Sequence, residues 1–132
     1  MKVMSLFGTR PEIIRLSRIF SSLDENFEHI MVNTSQNYTK ELNSIFFEQL
    51  KIRKPDHDLK VKTEAYGEEV ADIIVKSEKL LKKENPDILL ILGDTNSGLA
   101  AITAAHQGIK IAHMEAGMRS YNPLTPEDKN RV

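Results

Sequence analysis

Val3-Met4-Ser5-Leu6-Phe7-Gly8-Thr9-Arg10-Pro11-Glu12 is the stretch whose reading decides the fold. The short apolar run ended by Gly8 suits a strand buried in a parallel sheet. Beyond Pro11, apolar residues recur at Ile13, Leu16, Ile19, Phe20 and Leu23, the spacing of one helical face. Proline has no N–H to lose in a first helical turn, and the Glu12 carboxylate beside it meets the positive end of the helix dipole. Strand, glycine turn and helix together make the first half of a β-α-β unit.

The same alternation continues downstream. His29 to Asn33 reads as a second strand, and Leu42, Ile45, Phe46 and Leu50 place an apolar stripe on a helix from about Thr39, broken by Lys54-Pro55-Asp56. From Tyr66 to about Asn85, Val70, Ile73, Ile74, Leu80 and Leu81 line one face and Lys76, Lys79, Lys82 and Lys83 another, ahead of Pro86. Ile88-Leu89-Leu90-Ile91-Leu92 is apolar without alternation, the mark of a strand covered on both faces and the candidate for the central strand. Ser97 to Gln107 is Ala-rich and helical, Gly108 closes it, and Lys110 to Met114 is a fourth strand leading into Glu115-Ala116-Gly117. The order β-α-β-α-α-β-α-β predicts an α/β fold with a doubly wound parallel sheet, whose ligands lie beyond the carboxyl ends of the strands. Gly8, Asn33, Gly93 and Glu115 all fall at such ends.

Composition narrows the function classes. The 132 residues allow one domain, and 18 Lys+Arg against 19 Asp+Glu remove the electrostatic case for nucleic acid or an anionic membrane as main partner. No cysteine is present, which excludes disulfide scaffolds, Cys-ligated zinc and thiol catalysis, and is compatible with a reducing compartment. The apolar run at Val3 to Phe7 is too short for a signal peptide or a membrane span, so a cytoplasmic location is expected.

Several groups can carry chemistry. Gly8 to Glu12 places backbone N–H groups and the Arg10 guanidinium at a helix N-terminus, a natural place for a phosphate, and also reads as a turn glycine with a solvated arginine. Neither G-x-G-x-x-G nor G-x-x-x-x-G-K-[ST] occurs, so nicotinamide dinucleotide and Walker-type readings lose their usual support. Asp94 follows the most buried strand and precedes a helix that Thr95, Asn96 or Ser97 would cap; on spacing alone it reads as a turn residue before a catalytic one. His113 and Glu115 are two apart and share a face while the strand lasts, but no third His or Asp stands at zinc-ligand spacing with them. Glu127 and Arg131, four apart after Pro126, read first as a surface ion pair on a helix. Asp94, Glu115 and Glu127 nevertheless come from the carboxyl side of two neighbouring strands and the next loop, where two Arg can join them, and such a cluster can supply both a proton donor and a proton acceptor.

Taken together, Gly8-Thr9-Arg10-Pro11-Glu12, Gln36, Lys54-Pro55-Asp56, Pro86-Asp87 with Gly93-Asp94-Thr95, His113-Met114-Glu115-Ala116-Gly117-x-Arg119 and Pro126-Glu127-x-x-Asn130-Arg131 resemble the non-hydrolysing UDP-N-acetylglucosamine 2-epimerases of bacterial surface polysaccharide synthesis. The resemblance implies a glycosyltransferase-B-like enzyme of two Rossmann-like domains with a UDP-sugar between them. Residues 1–132 would be the N-terminal Rossmann-like domain, ending inside the helix that Pro126 begins, and a C-terminal UDP-binding domain outside this chain would complete the cleft. It further implies anti elimination of UDP to a 2-acetamidoglucal and re-addition on the opposite face, without cofactor, nicotinamide or metal. Asp94, Glu115 and Glu127 would be the acid/base carboxylates and Arg131 a catalytic-site cation. Gly8, Arg10, Arg15, Thr95, His113 and Arg119 would bind substrate. A homodimer through this first domain is implied, with the helices from Thr39 to Leu50 and from Tyr66 to Asn85 as alternative faces.

Three departures from the family pattern bear on specificity. Arg15 stands where many members have Lys, Asp128-Lys129 replaces Glu plus an apolar residue, and Ser35-Gln36-Asn37-Tyr38 replaces Gly-Gln-His. That loop, with Glu41-Leu42-Asn43 and Phe46-Phe47, is similar to the branch acting on 6-deoxy sugars toward UDP-N-acetyl-L-fucosamine, and it leaves substrate-driven allosteric regulation open. A glycosyltransferase-B half and a nucleotide-binding module without turnover are the competing readings, and the isolated chain is expected to be inactive.

Overall fold

The computed structural model describes residues 1–34, 40–62 and 64–131, with the side chains of 40–44 outside the description. Five parallel strands, β1 (Lys2–Phe7), β2 (Glu28–Asn33), β3 (His57–Asp58), β4 (Ile88–Leu92) and β5 (Lys110–Met114), form one sheet in the order β3-β2-β1-β4-β5. The chain steps outward from β1 on one side and then returns to its other side at β4. This is the doubly wound, Rossmann-like α/β arrangement, with its switch point between β1 and β4.

Apolar side chains alternate across the strands and two helical layers cover them. One layer holds α1 (Arg10–Asn26) and α2 (Lys40–Gln49), packed over Val3, Phe7, Met31, Leu90 and Leu92. The other holds α3 (Tyr66–Glu84) and α4 (Ala100–His106), packed over Met4, Leu6, Ile30, Val32, Leu89 and Ile91. Phe7 anchors the first layer, its ring 5.0 Å from that of Phe20 and 6.4 Å from that of Phe47. The α1 stripe buries Ile13, Leu16 and Phe20 as its spacing predicts.

Four expectations need correction. The central strand is β1, not Ile88–Leu92, because a run of apolar residues reports cover on both faces and not rank in the sheet. The strand His57–Asp58 carries no pattern at two residues and was missed. In α2 the core is met by Phe47, while Ile45 is 51% exposed; three adjacent apolar residues leave the facing side ambiguous until Phe7 selects one. The helix expected over Ser97–Gln107 begins as a 3-10 turn, Asn96–Leu99, before α4. The loop containing Gln36 lies outside the described residues, as do the side chains of Glu41, Leu42 and Asn43.

Lys54-Pro55-Asp56 serves the fold. Arg53 donates through Nε to both Asp24 oxygens at 3.0 and 3.1 Å, through Nη1 to Asp56 at 2.8 Å, and through Nη2 to the His29 carbonyl at 2.9 Å. Asp56 also accepts the Met31 N–H at 2.7 Å; burial works against its charge, but that bond and Arg53 hold its carboxyl below the usual range. The fully covered His29 ring lies between Asp24 at 2.6 Å and Ser5 Oγ at 2.8 Å, stacked on Phe20. The order Ser-His-Asp matches a hydrolase triad, but Ser5 has no exposed surface from which to attack a substrate.

Burial lowers the His29 pKa, outweighing the opposing pull of Asp24. The unfolded chain, with histidine at its ordinary 6.5, therefore takes the proton first as pH falls. Stability present above pH 6.5 drains away below it, whereas His29→Asn should flatten the profile between pH 7.5 and pH 5. Urea midpoints across that range provide the check.

Candidate active site

The carboxyl ends of β1, β4 and β5 meet at one edge of the sheet. Glu12, on the first turn of α1, is 3% exposed. Its Oε2 accepts the Gly8 N–H at 2.9 Å, the Thr9 N–H at 2.8 Å and the Thr9 hydroxyl at 2.9 Å, and its Oε1 accepts the Thr95 hydroxyl at 2.8 Å. The N–H groups expected to face a phosphate are thus directed at an internal carboxylate. Thr95 does not cap the following 3-10 turn with its side chain, because its hydroxyl is turned to Glu12. Burial raises the Glu12 pKa, against the lowering effect of these four donors.

At the next strand ends, Arg131 gathers the acids. Its guanidinium, with 4% of the side chain exposed, stands 3.7 Å from Asp94 Oδ1 and 3.5 Å from Glu115 Oε2, while Arg15 pairs with Glu115 Oε1. Arg131 Nε and Glu115 Oε2 are buried without a hydrogen-bond partner among the described residues. Asn130 Nδ2 donates to the Asp94 carbonyl at 2.6 Å and to Asn96 Oδ1 at 3.3 Å, and Asn96 reaches Glu69 at 3.0 Å, so α3 and the last loop hold the Asp94 turn from both sides.

Backbone conformation allows this approach. Gly93 has φ +71°, and a Cβ there would lie 3.6 Å from Arg131 Nη2 and 3.9 Å from Glu115 Oε2. Glu115 itself has φ +63°, a left-handed conformation that a non-glycine residue adopts only where its surroundings impose it. His113 Nε2–H donates to the Gly93 carbonyl at 2.7 Å, so the ring ties β5 to the β4 turn.

The remaining site candidates are dispersed. The expected Glu127–Arg131 ion pair does not form among the described residues, because the helix Pro126–Lys129 (α5) ends before Arg131 and releases it toward Asp94 and Glu115. Glu127 is half-buried on α5. Arg119 donates to the Ala116 and Met118 carbonyls within its own loop, and Arg10 lies over the Phe46 ring at 5.8 Å. Asp128 receives the Ser120 hydroxyl at 2.7 Å and the Asn122 N–H at 2.8 Å; the Ser120 bond first among these contacts lowers its pKa and staples the loop that precedes α5. Among the described residues no three His, Asp or Glu side chains are grouped to hold a metal, and no helix is long and apolar enough to cross a membrane.

A cleft of about 730 Å³ opens beside the cluster, lined by Thr9, Asp94, Thr95 and Asn130 on its polar side and by Tyr66 and Leu124 on its apolar side. It touches the Arg131 cluster only through Asp94. The signal for Glu12 was in the sequence, as a glutamate three residues after a threonine N-cap. Its second bond, to Thr95, was not.

The class defined here is a Rossmann-like α/β domain with a cleft and paired acids at its strand ends. The family model for UDP-N-acetylglucosamine 2-epimerase matches residues 21–132, and the chain belongs to that family. A UDP-N-acetylglucosamine 2-epimerase of Methanococcus maripaludis is 41% identical over 99% of this chain and 36% of its own length. A UDP-2,3-diacetamido-2,3-dideoxy-D-glucuronate 2-epimerase of Pseudomonas aeruginosa is 38% identical over 100% and 38%. The Methanocaldococcus jannaschii UDP-GlcNAc 2-epimerase, solved in complex with UDP-GlcNAc and UDP, superposes with a TM-score of 0.93 at 39% identity, covering 100% of this chain and 37% of that one. The chain therefore spans little more than a third of the length of these relatives.

Gly93→Ala should cost about 1–2 kcal/mol, since the added Cβ meets only ordinary contacts and the loss is that of an L-residue in left-handed backbone. Gly108→Ala, at φ +74° with open space around it, should cost as much, so equal urea midpoints for the two variants check that conformation and not crowding sets the loss.

Proposed function

We propose that this chain is the N-terminal Rossmann-like domain of a non-hydrolysing UDP-N-acetylglucosamine 2-epimerase, glycosyltransferase-B-like, whose second domain closes the cleft over a UDP-sugar. The observation that carries the reading is the convergence of Arg131 and Arg15 on Asp94 and Glu115 at adjacent strand ends. The M. jannaschii relative, solved with UDP-GlcNAc, makes that sugar nucleotide the first candidate substrate.

The chemistry asks for three things. A base removes the weakly acidic C2 proton, cations accept the leaving diphosphate, and an acid returns a proton to the other face of C2. In the forward half-reaction the C2–H and C1–O bonds break and a C1–C2 double bond forms, giving a 2-acetamidoglucal and UDP. In the reverse half the UDP oxygen re-forms the bond to C1 and C2 is protonated from the opposite side, which converts UDP-GlcNAc into UDP-ManNAc. Asp94, Glu115 and Glu127 are the carboxylates for these transfers. Arg131, held between Asp94 and Glu115, is the cation for the leaving diphosphate, with Arg15 on the other Glu115 oxygen, and Arg10 approaches the diphosphate from the N-terminus of α1. Thr95, Gly8, His113 and Arg119 shape the surrounding loops. No cofactor or metal enters the scheme. The setting is the cytoplasmic supply of sugar nucleotide for bacterial surface polysaccharide, capsule or O-antigen, by a homodimer.

The P. aeruginosa relative is named for a sugar altered at C3 and C6, and the Ser35–Tyr38 loop motivates a 6-deoxy UDP-HexNAc as the second substrate to try. Full-length protein incubated with UDP-GlcNAc in D₂O and followed by proton NMR is expected to yield UDP-ManNAc deuterated at C2. Consumption of the nucleotide sugar only when an acceptor is added would instead identify a transferase. Asp94→Asn in that protein should abolish deuterium uptake at C2, and near-normal uptake would remove Asp94 from the mechanism. The 132-residue chain alone should show negligible turnover in the same assay, because half a cleft leaves the reacting carbon unheld.

A further inference from the structure

Glu12 does more than an N-terminal glutamate needs to do. Reaching back to Thr9 would satisfy the orphan N–H groups of α1 with one carboxylate oxygen. Here that oxygen takes three donors, and the second crosses to Thr95, which lies 83 residues on and directly after Asp94. Thr9, Asp94 and Thr95 line the cleft, whereas the nearly covered Glu12 does not. One buried side chain thus sets the spacing between two walls of the site without meeting what binds there.

We propose that Glu12 is a positioning residue for the reaction, holding the Asp94–Thr95 turn against the N-terminus of α1. The proposal rests on the epimerase reading and extends it to a residue outside the reacting shell. The physical cost of the arrangement supports a role beyond stability. Burial raises the pKa of Glu12 above its ordinary 4.5, so its contribution to stability is complete below that value and declines as pH rises through the raised one. The fold thus retains a carboxyl whose ionisation its burial opposes, the kind of local conflict expected where function sets the residue.

The test uses the full-length protein with Glu12→Gln, Thr95→Val and the double variant. Glutamine can still accept the Gly8 and Thr9 donors, but the NH2 it turns to Thr95 must donate to the hydroxyl, which reverses that link and strips it of charge, and valine removes the link altogether. Glu12→Gln should melt at or above the parent's temperature at pH 7.5, keep KM for UDP-GlcNAc within about threefold and lower kcat by about tenfold to a hundredfold, the scale of a misplacement near 1 Å. Because both residues act through one tie, the double variant should be no slower than the slower single variant. An unchanged kcat in Glu12→Gln, or additive losses in the double variant, would overturn the proposal. If Glu12→Gln fails to fold, Thr95→Val decides through amide hydrogen exchange across residues 93–99, which should quicken at least fivefold by direct measurement against the parent. Should the parent be inert toward UDP-sugars, the epimerase reading fails separately. The exchange comparison then still decides the tie, since protection unchanged in Thr95→Val would overturn it.

Discussion

A carboxylate buried at the start of a helix is the constraint around which this structure is arranged. Gly8 and Thr9 present N–H groups at the positive end of α1, where a dinucleotide-binding domain would receive a phosphate. Glu12 fills that place from within the chain and uses its other oxygen to bind Thr95. The ends of β1 and β4 are adjacent in the sheet, and this bond makes their loops one unit. The cleft accordingly opens beyond that unit, toward Asp94, Asn130 and the last loop.

The second unit is centred on Arg131. It lies past the end of α5, and only its return across the strand ends brings a guanidinium between Asp94 and Glu115. Two acids that would repel each other in isolation are thereby kept close, and the left-handed backbone of Gly93 and Glu115 shapes the turns that carry them there. Asn130 and Asn96 tie the same turn to α3. The proposed proton transfers need such an arrangement, since a base and an acid for opposite faces of one carbon have to be held by separate elements.

Much of this was legible in the residues. Ile88–Leu92 and Lys110–Met114 emerged as strands with the boundaries expected, and the α1 and α3 stripes faced the core as their spacing requires. Local pattern failed where the deciding contact was distant. Phe47 and not Ile45 meets the core because Phe7 is there to receive it, and His57–Asp58 becomes a strand only because β2 has an open edge beside it. For the site, place after a strand marked Asp94 first as a turn residue, the resemblance and not the spacing gave Asp94 and Glu115 their roles, and spacing pointed Arg131 at Glu127.

What the sequence by itself determined is the class of fold, the strand ends at which chemistry can sit, and the family, because periodicity and motif spacing are local properties of the chain. What only the tertiary structure decided is which groups meet. Strand order, the pairing of Arg131 with Asp94 and Glu115, and the bond from Glu12 to Thr95 depend on contacts between residues far apart in sequence. Such contacts arise from the packing of whole layers, and no local spacing encodes them.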